Sequence, residues 1–416
     1  MRDRGILKNK KILLGLTGSV AIYRSIELAR RLSKAGASVD VILSETATKF
    51  INPLLIEAVT GRRAYTDTFQ YPMAHIELVQ DASLMVVAPA TANIIGKFSS
   101  GIADDLLSTV FLAMTPEKVL IAPAMNWRMY EHPVVQKNIN RLKQQGVNFV
   151  GPEAGQLCCG EEGYGRLAEL EDIIDEIERL LVDGDLKGLR ILVTAGPTRE
   201  YLDPIRFISN KSSGKMGYAL ARVARRRGAH VTLISGPSNL KRPYGVRFIS
   251  VETTAEMREA VKSLVRDIDM IFMAGAPADF TIKKAEEKIP RDRFSNEEDC
   301  LSLEFIPTTD IIGEIGRLPE KPFLVGFAAE TSLDIERAKA KLLKKGLDMI
   351  ILNNILEPGA GFEVDTNRVS IIEKVKDDEV LIQTTDLLPK EEIASIIIDR
   401  AIRSFKRRFN GINIQM

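Results

Sequence analysis

The stretch "KKILLGLTGSVAIYRSIELARRLSKAGASVDVILS", Lys10–Ser44, decides the fold. An apolar run meets a glycine turn. An apolar-periodic helix follows, closed by basic residues and glycine, and then a second apolar run. "LKGLRILVTAGPTREYLDPIRFISNKSSGKMGYALARVARRRGAHVTLISGP", Leu186–Pro237, repeats the scheme with a long insertion before the helix. This alternation implies parallel sheets with helices on both faces. Ligands in such sheets sit beyond the carboxyl ends of the strands, where the topology switches. The chain therefore reads as α/β, with two doubly wound, Rossmann-like domains.

Composition agrees with this and excludes little else. The chain has 416 residues, 45% hydrophobic and 27% charged, enough for two or three domains with sizeable cores. A net charge of +1 gives no global argument for nucleic acid or an anionic membrane as partner. No apolar run reaches the ~18 residues of a membrane span, and no secretory signal follows the basic N-terminus. The three cysteines, Cys158, Cys159 and Cys300, are an odd, low count that fits a reducing cytoplasm. His75, His132 and His230 do not have zinc-site spacing, and the sequence names no metal ligands. The boundary falls in "VDGDLKGLR", 182–190, giving domains over 1–183 and 187–416. Further strands are expected at "LMVVAPA", "KVLIAPA", "MIFMAGA", "FLVGFAA" and "MIILNNI".

Within the insertion, "FISNKSSGKMGYALA" (207–221) has a core like a Walker phosphate loop. The match fails at two points. Ser209 stands where that loop needs glycine, and Met216 replaces the hydroxyl that would ligate magnesium. Elsewhere the strand ends supply the candidates: Gly18 and Ser19 after the first strand, then Ser44, Asn93 and Asn126. Small residues before a helix suit a phosphate through free N–H groups and the helix dipole.

Two motifs in the first half are more specific. "PAMNWRMY" (123–130) resembles the P-x-M-N-x-x-M-W signature of the flavin-dependent cysteine decarboxylases. "GQLCCGEEGYGRLAE" (155–169) resembles their substrate clamp, A-C-G-x-x-G-x-G-R, and His75 in "YPMAHIEL" falls where the family keeps its active-site histidine. The resemblance covers residues 8–180. Tyr130 stands where the family usually has Trp, and Cys158 where it usually has Ala. The phase of the motif makes Cys159 the active cysteine.

The resemblance implies a flavodoxin-like domain holding FMN at Gly18, Ser19, Ser44 and Asn93. It makes His75 the base or substrate positioner and sets Asn126 on the substrate carboxylate, with Met129 beside the substrate. Cys159 is the proton donor. A cysteine carboxylate has no neighbouring carbonyl to take electrons as carbon dioxide leaves. A flavin creates an acceptor by oxidising the aminoethanethiol carbons toward a thioaldehyde, and returns hydride afterwards. A thiol with a pKa near ~8.5 suits protonation of the resulting enethiolate. Singly, each motif has a plainer reading: a structural histidine, a turn, two small buried thiols. Their occurrence together and in order carries the assignment.

In the second half, "AGPTREYLDPIRFISNKSSGKMG" resembles the opening of the phosphopantothenate–cysteine ligases. "AGAPADF" (274–280), "EEKIPR" (286–291), "FIPTTDII" (305–312), "VGFAAET" (325–331) and "NNILEPGAGFEVDTNRV" (353–369) follow in the family order. In bacteria and archaea this ligase is commonly fused behind the flavin decarboxylase. The resemblance implies a bifunctional enzyme of coenzyme A biosynthesis that joins 4'-phosphopantothenate to L-cysteine through an acyl-nucleotide, using Mg2+. The fused layout and the "ADF" turn favour CTP over ATP.

By the same resemblance Asn210 serves the acyl-nucleotide, with Arg206 one helical turn before it on the substrate. Ser212, Ser213 and Gly214 offer donors to phosphate. Asp279, Lys288, Pro307, Thr308, Thr309, Asp310, Phe327, Lys341 and Lys345 hold CTP. Pro290 and Arg291 depart from the family's "KIKK". Lys341 and Lys345 by themselves fit a solvated helix face. Further implications are a homo-oligomer, with flavin sites between decarboxylase subunits and ligase dimers, up to a dodecamer. Two other readings use the same residues: a flavoprotein with a degenerate ligase half, and a flavin-binding regulator without turnover. An intact Cys159 and Lys288 count against both.

Overall fold

The computed structural model describes residues 5–69, 73–156, 162–290, 302–376 and 379–410. It divides into two compact units, Met1–Asp183 and Gly184–Met416.

The first unit alternates strands and helices. Its elements run β1 (Lys11–Leu16), α1 (Ile22–Lys34), β2 (Ser38–Leu43), α2 (Glu45–Thr48), α3 (Pro53–Thr60), β3 (Ala64–Tyr65), α4 (Ala74–Val79), β4 (Leu84–Ala90), α5 (Ala92–Ser100) and α6 (Leu106–Ala113). They continue as β5 (Val119–Pro123), α7 (Trp127–Glu131), α8 (Pro133–Gln144), β6 (Asn148–Phe149), β7 (Glu153–Gln156), β8 (Glu162–Arg166) and α9 (Leu170–Leu181). The sheet order is β3-β2-β1-β4-β5-β6, parallel throughout. Without the two-residue edge strand β3 this is the 2-1-3-4-5 order of flavodoxin-type sheets, and the switch lies between β1 and β4. Strands β1, β2 and β4 are nearly continuous apolar runs because helices cover both faces. Helix α1 buries Ile22, Ser25, Leu28, Ala29 and Leu32, the stripe that its 3.6-residue period requires.

The second unit begins with β9 (Arg190–Ala195), the antiparallel pair β10 (Arg199–Tyr201) and β11 (Phe207–Ser209), α10 (Lys215–Arg226), β12 (His230–Ser235), β13 (Arg247–Ser250), α11 (Thr254–Leu264) and β14 (Met270–Met273). After these come β15 (Phe280–Thr281), β16 (Ile306–Pro307), α12 (Ile311–Gly316), β17 (Phe323–Glu330), α13 (Ile335–Lys344), β18 (Met349–Asn354), β19 (Thr366–Asn367), β20 (Ser370–Lys376), β21 (Glu379–Thr384), β22 (Leu388–Pro389) and α14 (Lys390–Asn410). The main sheet runs β13-β12-β9-β14-β17-β18-β20-β21. Its first six strands are parallel; β20 and β21 add antiparallel. The alternation of β9 shows the two-sided core. Ile191 and Val193 pack on the face covered by α10 and α14, and Leu192 on the face covered by α11, α12 and α13. Here the switch lies between β9 and β14.

Candidate functional sites at the two switch points

In the first unit the switch is stitched by Thr17, which is 2% exposed. Its hydroxyl donates to the Pro89 carbonyl at 2.7 Å and accepts the Thr91 N–H at 3.1 Å, tying the end of β1 to the end of β4. Gly18 follows, and a Cβ there would meet the Thr46 side chain at 2.6 Å, so the turn closes only around glycine. Ser19 turns the chain into α1: its carbonyl accepts the Ile22 N–H and its Oγ the Ala21 N–H. Ser44 caps α2 by accepting the Ala47 N–H, beside the β1 end, where its own N–H donates to the Leu16 carbonyl. Asn93 stands exposed in the first turn of α5. Neither α1 nor α5 has a side-chain cap. Both helices start just past the two strands that border the switch, the position of an anion site.

Asn126 begins α7 at the end of β5, and its side chain caps the helix by accepting the Arg128 N–H at 2.9 Å. The β7–β8 hairpin lies directly on this corner. The Met125 N–H donates to the Gly165 carbonyl at 3.0 Å. A Cβ on Gly165 would fall 2.1 Å from the Met125 carbonyl, and one on Gly163 2.7 Å from Trp127. Both glycines of "GYGR" are thus demanded by contact with the "MNW" corner. The hairpin base is held by ion pairs, Arg166 with Glu153 and Glu169, and Arg24 with Glu169. Met129 is exposed on α7. Cys158 and Cys159 lie between β7 and β8 in sequence, outside the described residues. His75 is half-buried on α4. The far end of α4 is fixed by Lys11, at the start of β1, which donates to the Glu77 and Gln80 carbonyls.

The second switch is denser. The Gly275 N–H donates to Thr194 Oγ at 2.9 Å and the Ala276 N–H to the Gly196 carbonyl at 2.8 Å. Asn210 lies over them and donates through Nδ2 to the Ala276 and Pro277 carbonyls at 3.1 and 3.2 Å. Helix α10 starts at Gly214, in the left-handed region at φ 81°, without a side-chain cap. A Cβ on Gly217 would fall 2.7 Å from the Thr194 carbonyl, and one on Gly236 1.7 Å from the Pro197 carbonyl. Gly196 makes a tight turn at φ 72°, Gly214 packs on its backbone and Gly217 gives the close helix–strand contact, an arrangement like that of a G-x-G-x-x-G fingerprint. Residues 197–213 interrupt that motif, which is why sequence reading missed it.

One expected placement differs in the structure. Arg206 is not one helical turn from Asn210, because β11 between them is extended. Its guanidinium grips Asp203 and the Ile289 carbonyl. Asp203, 0% exposed, also accepts the Ile205, Arg206 and Ile289 N–H groups. Burial pushes its carboxyl up, but these N–H donors and the guanidinium prevail and hold it well below the usual carboxylate range. Asp203, unremarked in the sequence, thereby anchors the segment bearing Lys288, which is itself exposed. Pro290 is the last described residue of that segment; Arg291 lies outside the described residues. Ser212 Oγ accepts the Gly214 N–H, and Ser213 Oγ donates to the Phe362 carbonyl, so neither hydroxyl is idle.

The nucleotide candidates form a second layer. Asp279, exposed, accepts the Thr308 N–H with its carbonyl; Thr308 Oγ1 donates to the Ala278 carbonyl; Pro307 pairs with Phe280. Thr309 leads into Asp310, which caps α12 and pairs with Lys345 at 2.9 Å. Lys341 pairs with Glu330 at the end of β17, on which Phe327 sits half-buried. Lys341 lies on α13 and Lys345 caps its end, and the two serve different neighbours. Among the described residues no group of three or more His, Cys, Asp or Glu side chains could hold a metal ion. No described helix is long and apolar enough to cross a membrane.

Comparison with known proteins places these features. A family model described as Flavoprotein matches residues 2–182. One described as DNA/pantothenate metabolism flavoprotein C-terminal domain matches residues 186–404. The chain is 46% identical over 378 residues to the coenzyme A biosynthesis bifunctional protein CoaBC of Bacillus subtilis (strain 168), covering 89% of this chain and 92% of the relative. It is 39% identical over 410 residues to the protein of that name from Escherichia coli (strain K12), covering 97% and 99%. Among solved structures, the C-terminal domain of a coenzyme A biosynthesis bifunctional protein CoaBC is similar to 53% of this chain and 98% of that domain, at 35% identity and a TM-score of 0.44.

Proposed function

The chain belongs to the family of bifunctional coenzyme A biosynthesis proteins, a flavoprotein unit followed by a ligase unit, and from that premise we propose how each switch point works. The second unit ligates 4'-phosphopantothenate to L-cysteine with CTP through an acyl-cytidylate. The first decarboxylates the resulting 4'-phosphopantothenoylcysteine to 4'-phosphopantetheine with FMN. The observation that carries this reading is that both sheets end at a switch point where an uncapped helix and a bridging threonine face the candidate residues.

FMN fits the first switch. The uncapped starts of α1 and α5 suit its phosphate, and Gly18, Ser19, Ser44 and Asn93 surround the strand ends that would hold it. When bound, it supplies the reversible oxidation that makes a carboxylate beside a thiol labile. Asn126, fixed by its cap, would take the substrate carboxylate with its amide, and Met129 would flank the substrate. Cys159 would protonate the carbon chain after carbon dioxide leaves, and His75 would position substrate or accept a proton. The flavin site would lie between subunits of an oligomer, so that a second subunit completes it.

In the ligase unit Asn210 would address the acyl-cytidylate at the switch, with Arg206 and Lys288 supplying positive charge at its rim. Asp279, Phe327, Lys341, Lys345 and the Pro307–Asp310 turn would hold CTP. Mg2+ would ride on the triphosphate oxygens, since such ions prefer phosphate and water to an all-protein cage. Cytoplasmic placement and ligase dimers are part of the same proposal.

The test is mass spectrometry of the full chain with 4'-phosphopantothenate, L-cysteine and Mg2+, with CTP and ATP in parallel. Phosphopantetheine formed with CTP supports both halves and the nucleotide. Phosphopantothenoylcysteine accumulating without carbon dioxide release overturns the decarboxylase assignment. No consumption with either nucleotide overturns the ligase assignment.

A further inference from the structure

The loop of the second switch has a support that the proposed chemistry has not used. Lys390, the first residue of α14, is 6% exposed. Its ammonium donates to three carbonyls of one short strap: Gly361 at 2.8 Å, Phe362 at 3.3 Å and Val364 at 2.5 Å. Its own N–H donates to the Asp365 carbonyl at 2.9 Å, closing the strap against the helix. The strap then grips the Asn210–Lys215 loop from the other side. The Phe362 carbonyl takes the Ser213 hydroxyl. Lys215 donates to the Glu363 carbonyl at 2.6 Å and pairs with the Asp365 carboxylate at 2.8 Å. The chain of contacts runs from Lys390 through residues 361–365 to Ser213 and Lys215, which flank Gly214 at the start of α10.

We infer that Lys390 is a positioning residue for the ligase reaction, holding through the 361–365 strap the loop that carries Asn210 and the uncapped start of α10. The inference rests on the assignment of that loop to the ligase site. An ammonium has three donors for three carbonyls, whereas a neutral amine has two and turns a lone pair on the third. Charge is therefore part of the device. Burial lowers the Lys390 pKa and nearby Lys215 lowers it further, against the opposing Asp365, to about 8. These are the charges facing it from α10 and from the strap; the adjoining Glu391 is turned to Arg222 on α10. The strap thus loses one donor as pH rises through about 8.

The experiment measures ligase kcat/KM for 4'-phosphopantothenate and CTP from pH 6.5 to 9.5 in the full chain, comparing wild type with Lys390→Met. Taking the ratio of the two enzymes cancels the titration of cysteine and nucleotide, which both share. Wild type should exceed the variant about tenfold at low pH, the worth of charge-assisted bonds lost, mostly through KM. The ratio should shrink above the Lys390 transition to the smaller advantage that a neutral amine's two remaining donors keep over Met. Decarboxylation of supplied 4'-phosphopantothenoylcysteine should be equal in both, showing that the chain has folded. A ratio constant across the range, or equal KM values at low pH, overturns the inference. Should Lys390→Met fail to fold, Lys390→Arg replaces it: its guanidinium stays charged, so its profile must lack the alkaline fall of wild type, and an unchanged fall overturns the inference. Wild type that ligates with neither CTP nor ATP would instead remove the ligase reading itself.

Discussion

The two switch points are built alike and loaded differently. In each, the first strand runs through a glycine turn into a helix without a side-chain cap, and a threonine binds the strand across the switch. In the first unit the strand and helix are separated only by residues 17–21, a bare turn. In the second unit residues 196–214 intervene, carrying the β10–β11 hairpin and Asn210. A bare turn leaves the helix start open to one group that stays. An inserted hairpin brings side-chain donors over the switch, as befits substrates that enter, react and leave. The same sheet topology is thus given two chemistries by what is placed between its first strand and first helix.

The comparison breaks most sharply at the hairpin. Asn210→Asp sets a carboxylate against the Ala276 and Pro277 carbonyls that Nδ2 now serves. Ligation should fall by at least ~100-fold, the scale of losing a preorganised donor, while decarboxylation of supplied intermediate is unchanged. Cys159→Ser should do the reverse. A single variant that stops both steps in a folded chain would refute the division of labour. Next in size is Gly236→Ala, whose Cβ would overlap the Pro197 carbonyl. It should destabilise the second unit by about 2–3 kcal/mol, read as an earlier unfolding transition with flavin retained by the first. Unfolding of both units together would show them to be one cooperative body.

Much of this was legible beforehand, for physical reasons. The apolar runs at Leu84–Ala90, Val119–Pro123, Phe323–Glu330 and Met349–Asn354 announced themselves because parallel strands are buried on both faces. The β20–β21 hairpin was not anticipated: β21 is largely exposed at a sheet edge and lacks that uniform apolarity. Asn210 was found through its motif, but its anchorage on two carbonyls depends on β14, more than 60 positions later in the chain, and no local pattern encodes such a contact. Asp203 escaped notice because a lone aspartate before proline reads as an ordinary turn residue; only the fold brings Ile289 and Arg206 to it. Thr17 and Thr194 carry no motif of their own, and their bridging role appears only once the strand order is known.

Those two threonines provide a finer test. Thr17→Val keeps the shape but removes the donor to Pro89 and the acceptor for Thr91. One buried carbonyl and one N–H then lose partners, so flavin dissociation should become about tenfold more favourable, on the scale of ~1.4 kcal/mol. Titrating the apoprotein with FMN by fluorescence reads this directly. Thr194→Val, the matching change, should leave flavin affinity alone and weaken ligation. An equal loss of flavin binding in both variants would deny that each threonine serves its own switch.

The smallest expected effect separates Lys345 from its helix neighbour Lys341. Lys345 is partly exposed and pairs with Asp310, but Asp310 also caps α12 through the Gly313 N–H, a bond that does not need the lysine. Exposed pairs of this kind contribute little, roughly 0–1 kcal/mol, so Lys345→Met should raise the KM for CTP only about two- to threefold with kcat unchanged. Should KM rise more than about tenfold, Lys345 must leave Asp310 and carry the triphosphate itself. The second switch would then use a cation swung in with its substrate, where the first relies on helix starts already in place.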